Sequence, residues 1–320
     1  MRCGPPVELQ QQRRQLATSA GDAADQMMHT FADRTMTRRQ LLDGNQLQKL
    51  SLTLGRPRLH PGLDVTQSPP PDGTPLPPGH HLVYFTPGGL ESELGPDGTD
   101  RTFNAPAPFT RRMWAGGRMT WKMLAQLRVG QQAEERTRLL SATPKKSRDG
   151  GGDGPGRGGE GVLGARGGCR LWISGLGSFV RRCRLRMRRR LGRFRILRCG
   201  AKAYPFRRMR WSPVGLFRFS ALTFNGHKIH YDGSWTRSVE NHPGCVVHGP
   251  LNLISMLDYW RDVCGEGPVG GISYRAMSPL YAGDTYQMSA QKPVASTDGK
   301  SWDILVQKGG AVCMKGTITT

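Results

Sequence analysis

No run of eighteen apolar residues occurs in this chain, so the sequence offers no transmembrane helix. No C-x-x-C pair appears among its seven cysteines (Cys3, Cys169, Cys183, Cys199, Cys245, Cys264 and Cys313), and none of their spacings suits zinc. An odd cysteine count without a visible secretory signal points to free thiols in a reducing compartment rather than a disulfide framework. Acidic residues are scarce: 24 Asp and Glu face 46 Lys and Arg, for a net charge of +22. Such an excess raises nucleic acid as a partner, but its distribution argues against one. Residues 151–210 hold sixteen Arg and one Lys against Asp153 and Glu160, so +15 belongs to that segment and an ordinary +7 to the rest.

The chain of 320 residues is long enough for two domains. Residues 1–22 carry Arg2, Arg13 and Arg14 with Glu8 as the one acid before Asp22. That Arg-rich, acid-poor start resembles a mitochondrial presequence, the alternative being a frayed terminus. Residues 23–149 form a first globular unit. In it Leu47, Leu50 and Leu54 have helical spacing, "HHLVYFTP" (80–87) reads as a short buried strand, and Gly117–Lys122 reads as another. Residues 150–207 break this style. "GGGDGPGRGGEGVLGARGG" cannot bury a core, and the Arg-rich text after it allows at most an isolated basic helix within 178–198. The first expectation is an out-of-frame or intron-derived segment and the second a solvated, disordered insert. Nucleic-acid binding through 180–210 is a remote third. Residues 208–320 read as globular again: an apolar helix begins at Pro250 and about four antiparallel strands follow, an α+β pattern.

The densest chemistry lies in "SALTFNGHKIHYD" (220–232), between the apolar run "VGLFRFSAL" and the helix-opening "VVHGPLNLISMLDYW". Asn225, His227, His230 and Asp232 cannot be buried there without partners, at a cost of about 1–3 kcal/mol each. A metal site built on His227, His230 and Asp232 would need a fourth ligand that no spacing supplies, so no metal and no cofactor is expected. Asp284 in "AGDT" suits a turn, and His80 and His81 suit a loop edge. Trp114 and Arg111–Arg112 suit either an acyl or pantetheine path or structural packing.

"SALTFNGHKIHYD", "VVHGPL" and "YRAMSPLYAGDTY" resemble the C-terminal half of MaoC-like double hot-dog hydratases. "LPPGHHLVYFTP" and "ELGPDGTDRTFNAPAPFTRRMWAGGRMTW" (within 76–121) resemble the N-terminal half. Mitochondrial 3-hydroxyacyl-thioester dehydratases of type 2 and mesaconyl-CoA hydratase-like enzymes are the nearest kinds, over roughly 37–148 and 211–320. The resemblance implies an α+β double hot-dog, each half a central helix wrapped by an antiparallel sheet, with 150–207 threatening to leave the first half incomplete. It implies one active site, in the second half.

The hydratase motif S-x-x-T-G-D-x-N-P-x-H-x-D lies without gaps on Ser220, Thr223, Phe224, Asn225, His227, Lys228, His230 and Asp232. Asn225 stands at the acidic position. An amide accepts no proton but can aim a water, so acid–base work falls on His230. The implied catalytic set is His230, Asn225 and the Gly249 amide, which would receive the thioester oxygen at a helix start. His227, Asp232 and His248 are the implied substrate contacts. The implied reaction is reversible hydration of 2-enoyl to 3-hydroxyacyl thioesters of CoA or acyl carrier protein, in mitochondrial fatty acid synthesis, with a homodimer as the assembly considered. A mesaconyl-CoA-type hydratase and a non-catalytic acyl-thioester-binding protein are the alternatives.

Overall fold

Ten consecutive residues, Leu251–Trp260, are buried in one helix. A helix that is apolar on most of its faces has to be enclosed, and the rest of the chain does this. The computed structural model describes residues 19–106, 114–121, 126–146, 161–173, 177–186, 205–265, 267–296 and 299–320, with 161–173 and 177–186 described through their backbone. The Arg111–Arg112 pair lies outside the described residues.

The first half opens with α1 (Ala20–Phe31), β1 (Thr35–Leu41) and α2 (Gly44–Thr53). A two-stranded ribbon of β2 (Arg58–His60) and β3 (Leu63–Asp64) follows, and then β4 (Trp114–Thr120), β5 (Gln132–Lys146), β6 (Gly161–Ile173) and β7 (Gly177–Arg186). The second half has β8 (Arg207–Arg210), α3 (Pro213–Leu222), α4 (Gly233–Ser238) and the enclosed helix α5 (Gly249–Val263). It ends with β9 (Gly271–Ala276), β10 (Thr285–Ala290), β11 (Val294–Ser296), β12 (Gly299–Lys308) and β13 (Ala311–Thr319). The strands form one antiparallel sheet in the order β1-β5-β6-β7-β4-β9-β13-β12-β10-β8, with β11 beside β12. The two halves meet where β4 pairs β9, from Gly116 opposite Arg275 to Thr120 opposite Gly271.

Three strands of the second half touch α5 directly. Tyr286 on β10 donates to Asn252 Oδ1 at 2.6 Å, Trp302 on β12 meets Trp260 edge to face at 5.4 Å, and Gly316 on β13 leaves room for Met256, whose Cε would lie 2.7 Å from a Cβ there. The expected apolar helix and the strands after it are where the periodicity put them. In the first half, α1 lies on β5 through Ala23, Ala24, Met27, Phe103 and Leu139. Residues 1–18 of the suggested targeting segment are outside the described residues, and Ser19 already caps α1.

Two expectations are corrected. Residues 80–87 are not a strand: Pro77, Pro78 and Gly79 (φ 85) wind His80–Val83 into a 3-10 turn, with the His80 amide donating to Pro77 O. A short apolar run is ambiguous between helix and strand, and the preceding turn residues decide it here. His80 and His81 are accordingly buried rather than at a loop edge. The described part of the Gly/Arg-rich segment differs too, while 150–160, 174–176 and 187–204 lie outside the described residues. Where the sequence suggests no strand, β6 pairs β5 and β7 pairs both β6 and β4. Sheet ladders are made by backbone groups, and Leu163, Ala165, Cys169, Leu171 and Ile173 of β6 share one parity, interrupted by Gly167, a partial period of two that average composition hides.

Asp258 ties the halves together around α5. It is 3% exposed, lies 3.3 Å from His80 Nε2, 3.0 Å from Arg261 Nη2 and 3.8 Å from Arg56 Nε, and Arg56 continues to Asp262 through two bonds of 2.6 and 2.8 Å. Burial pushes the Asp258 carboxyl up. His80, by charge and hydrogen bond, and then Arg261 and Arg56 reverse this and hold it below its ordinary value. Its contribution is therefore present above the unfolded carboxyl value near 4 and is lost as pH falls through the lower folded value. Asp258→Ala, which strands the cations, should cost about 3–5 kcal/mol in urea unfolding at neutral pH. Asp258→Asn should flatten the loss of stability that the wild type shows below about pH 4.

Candidate active site

The site grows from the end of α3. The Thr223 hydroxyl turns back to Phe219 O, Phe224 takes a left-handed conformation (φ 47), and the Asn225 amide donates to Ser220 O. Asn225 Oδ1 then accepts the His227 amide at 3.1 Å, an Asx turn that starts the short 3-10 helix Lys228–His230. Asp232 caps α4 by accepting the Trp235 amide at 2.9 Å. The polar residues of the segment thus shape its backbone, and this shape delivers His230 inward.

His230 is 8% exposed and its ring is held from two sides. Nδ1–H donates to Val246 O at 2.7 Å, which fixes the tautomer and makes Nε2 the lone-pair atom. The His248 ring stacks on it at 3.6 Å and 18°. His248 stands at the N-cap of α5, bonded through Nε2 to the buried Ser220 Oγ at 2.9 Å, and its Nδ1 makes no hydrogen bond within the protein. His227 meets His230 edge to face at 5.4 Å. Burial, then the neighbouring His227, pushes the His230 pKa down to about 3, against the pull of Val246 O. Burial, then His230 and His227, likewise puts His248 well below its ordinary value. Both rings are therefore neutral bases near pH 7, in a site where any new positive charge needs compensation.

Gly249 and Pro250 open α5 directly after His248. Pro250 removes one amide from the first turn, and the Gly249 N–H belongs to the helix start. Gly249 is required by space: a Cβ would lie 2.3 Å from Trp114 Cε3. Trp114 comes from β4 of the first half and stacks on Tyr274 of β9 at 4.6 Å. Trp114 thus packs between Tyr274 and Gly249.

The structure brings His227, His230, His248, Asn225 and Gly249 into one region, while the Asp232 carboxylate faces the α4 cap. Two further side chains reach this cluster: Ser220 through His248 and Asp97 near His227. Ser220 opened the matched motif, and a role for its hydroxyl was legible there. Asp97, whose Oδ2 lies 3.7 Å from His227 Nε2, comes from the first half, and no local pattern pairs it with residue 227. Among the described residues no cluster of His, Cys, Asp or Glu could hold a metal ion, and no helix is long and apolar enough to cross a membrane.

Residues 79–154 and 198–282 match the family "Hydroxyacyl-thioester dehydratase type 2". Mesaconyl-C(4)-CoA hydratase of Chloroflexus aurantiacus is 30% identical over 73% of this chain and 85% of that protein. The mitochondrial hydroxyacyl-thioester dehydratase type 2 of Schizosaccharomyces pombe is 38% identical over 22% of this chain and 24% of that protein. Among solved structures, a MaoC-like dehydratase from Phytophthora capsici superposes with a TM-score of 0.59 at 14% identity, over 89% of this chain and 94% of that one, a likeness of fold.

A histidine whose folded pKa lies below its unfolded value opposes folding as pH falls. The cost starts near the unfolded value of about 6.5 and grows until the folded value near 3. Stability should therefore fall below pH 6.5 with a slope of up to about 1.4 kcal/mol per pH unit from His230. His230→Gln should remove that share, read from denaturant midpoints between pH 4 and 7. Gly249→Ala should displace Trp114 and be seen as a changed near-UV tryptophan signal.

Proposed function

The chain belongs to the type 2 hydroxyacyl-thioester dehydratase family, with the double hot-dog fold of MaoC-like hydratases, and from that premise we propose that His230 and Asn225 carry its hydro-lyase chemistry. The reaction is reversible addition of water to a 2-enoyl thioester. His230 Nε2 takes a proton from water as the hydroxyl bonds to C3, and the electron pair of the C2–C3 double bond moves toward the thioester oxygen. The proton then goes to C2, giving the 3-hydroxyacyl thioester; dehydration is the reverse.

The observation that carries this reading is the His230 ring, tied through Nδ1 to Val246 O and stacked on His248 at the N-cap position of α5. Asn225, with Oδ1 engaged by the His227 amide, offers its NH2 to orient the water. The Gly249 N–H at the helix start suits the charge that develops on the thioester oxygen, an interaction worth 10²- to 10³-fold where one such donor is removed. His248 Nδ1 and His227 supply polar contacts to the acyl thioester. Asp232 acts on substrate position through the helix it caps.

The carrier is CoA or acyl carrier protein, for which the name of the Chloroflexus relative favours CoA. Placement in mitochondria is supported by the Arg-rich, acid-poor start and by the name of the Schizosaccharomyces relative. A homodimer is the assembly we favour.

His230→Ala should lower kcat with crotonyl-CoA by about 10²- to 10⁴-fold, followed by the loss of enoyl absorbance. Unchanged turnover would remove His230 from the reaction. Calorimetric binding of crotonyl-CoA by the wild type without absorbance change would make the protein a thioester binder instead.

A further inference from the structure

The loop that reaches His227 belongs to the other half of the chain. It closes on itself through the Gly95 amide to Thr99 O and the Gly98 amide to Gly95 O, both 2.8 Å. It is then fastened to the histidine segment: the Lys228 amide donates to Asp97 O at 2.8 Å and the Lys228 ammonium to Pro96 O at 2.9 Å. Gly98 (φ 78) approaches Gly226 so closely that a Cβ would sit 2.0 Å from Gly226 O. All of these fastenings use main-chain groups of the loop.

The Asp97 side chain does something else. It is 9% exposed, and its Oδ1 accepts both the Thr99 amide (3.1 Å) and the Thr99 hydroxyl (2.7 Å). An asparagine oxygen would serve that turn equally well. The second oxygen, Oδ2, faces His227 Nε2 at 3.7 Å, and the His227 ring meets His230 edge to face. A buried carboxylate is costly unless a charge or a donor repays it. The turn at Thr99 uses Oδ1, and Oδ2 carries the negative charge toward the histidine cluster.

We propose that Asp97 is a positioning residue of the acid–base site, acting through His227. Its carboxylate orients the His227 ring with Nε2–H toward Oδ2. It also offsets the positive charge that arises when His230 holds the proton taken from water. The inference rests on the hydration reading above and adds to it a group supplied by the first half.

Asp97→Asn keeps the acceptor for Thr99 and removes the charge. With crotonyl-CoA its kcat should fall about tenfold to a hundredfold, with KM little changed and the acid limb of the kcat–pH profile displaced. Asp97→Ala should recover part of its rate in added formate, which a purely structural role would not produce. Unchanged kcat and profile in Asp97→Asn overturn the proposal. The wild type supplies a measurement that does not depend on either variant folding. Nitrogen NMR of the histidines should show His227 carrying its proton on Nε2 over the active pH range; a neutral Nδ1–H form throughout overturns the proposal. Absence of wild-type turnover would sink the hydration reading, while the His227 tautomer would still decide for or against Asp97.

Discussion

Enclosure of α5 is the constraint on which the other parts depend. Its buried stretch includes Asn252, Ser255 and Asp258 as well as apolar residues, and each polar group has to be satisfied away from water. Ser255 turns to Leu251 O of its own helix, Asn252 accepts from Tyr286 of β10, and Asp258 collects His80, Arg56 and Arg261. The partners come from both halves. A helix that was only greasy could slide or rotate in its wrapping, whereas this one has a single position in which Asn252 and Asp258 both meet their partners outside the helix. The N-terminus of α5, with His248 and Gly249, is thereby fixed relative to His230.

The site shows what such fixing is for. Two imidazoles stacked at 3.6 Å and shielded from water are both held neutral, and one has its tautomer set by Val246 O. Neutral rings keep their lone pairs but resist protonation, so a reaction that passes a proton through them has to bring compensation. In the hydration we propose, the N–H groups at the start of α5 meet the negative charge that develops on the thioester oxygen. The same logic explains why the polar residues of 223–232 are occupied with backbone turns: a rigid segment delivers a ring more accurately than a mobile one.

Much of this was legible from residues alone. Pro250 followed by an apolar run announces α5, and the segments after it announce β9, β10, β12 and β13, though not the short β11. The spacing of Asn225, His227 and His230 suggests their nearness, which the structure provides through the Asx turn of Asn225 and the 3-10 helix Lys228–His230. Residues 80–87 mislead because a short apolar run carries no period, and Pro77, Pro78 and Gly79 decide the outcome. For β6 and β7, glycine and arginine content outweighed a partial two-residue alternation that was there to be read. The approach of Asp97 to His227 spans about 130 residues of sequence, and its determinant is the absence of side chains at Gly98 and Gly226. Tertiary fit of that kind leaves no local mark.

The seam between β4 and β9 has a consequence for synthesis. β4 ends at Thr120 and β9 begins at Gly271. At ribosomal speeds the second strand is made roughly ten to thirty seconds after the first. For that interval the growing polypeptide carries a strand without its later neighbour, the kind of edge that recruits other chains. The order of translation therefore exposes the first half to misassembly in a way the finished protein does not. A chaperone that shields nascent sheets would matter most for this molecule between those two moments.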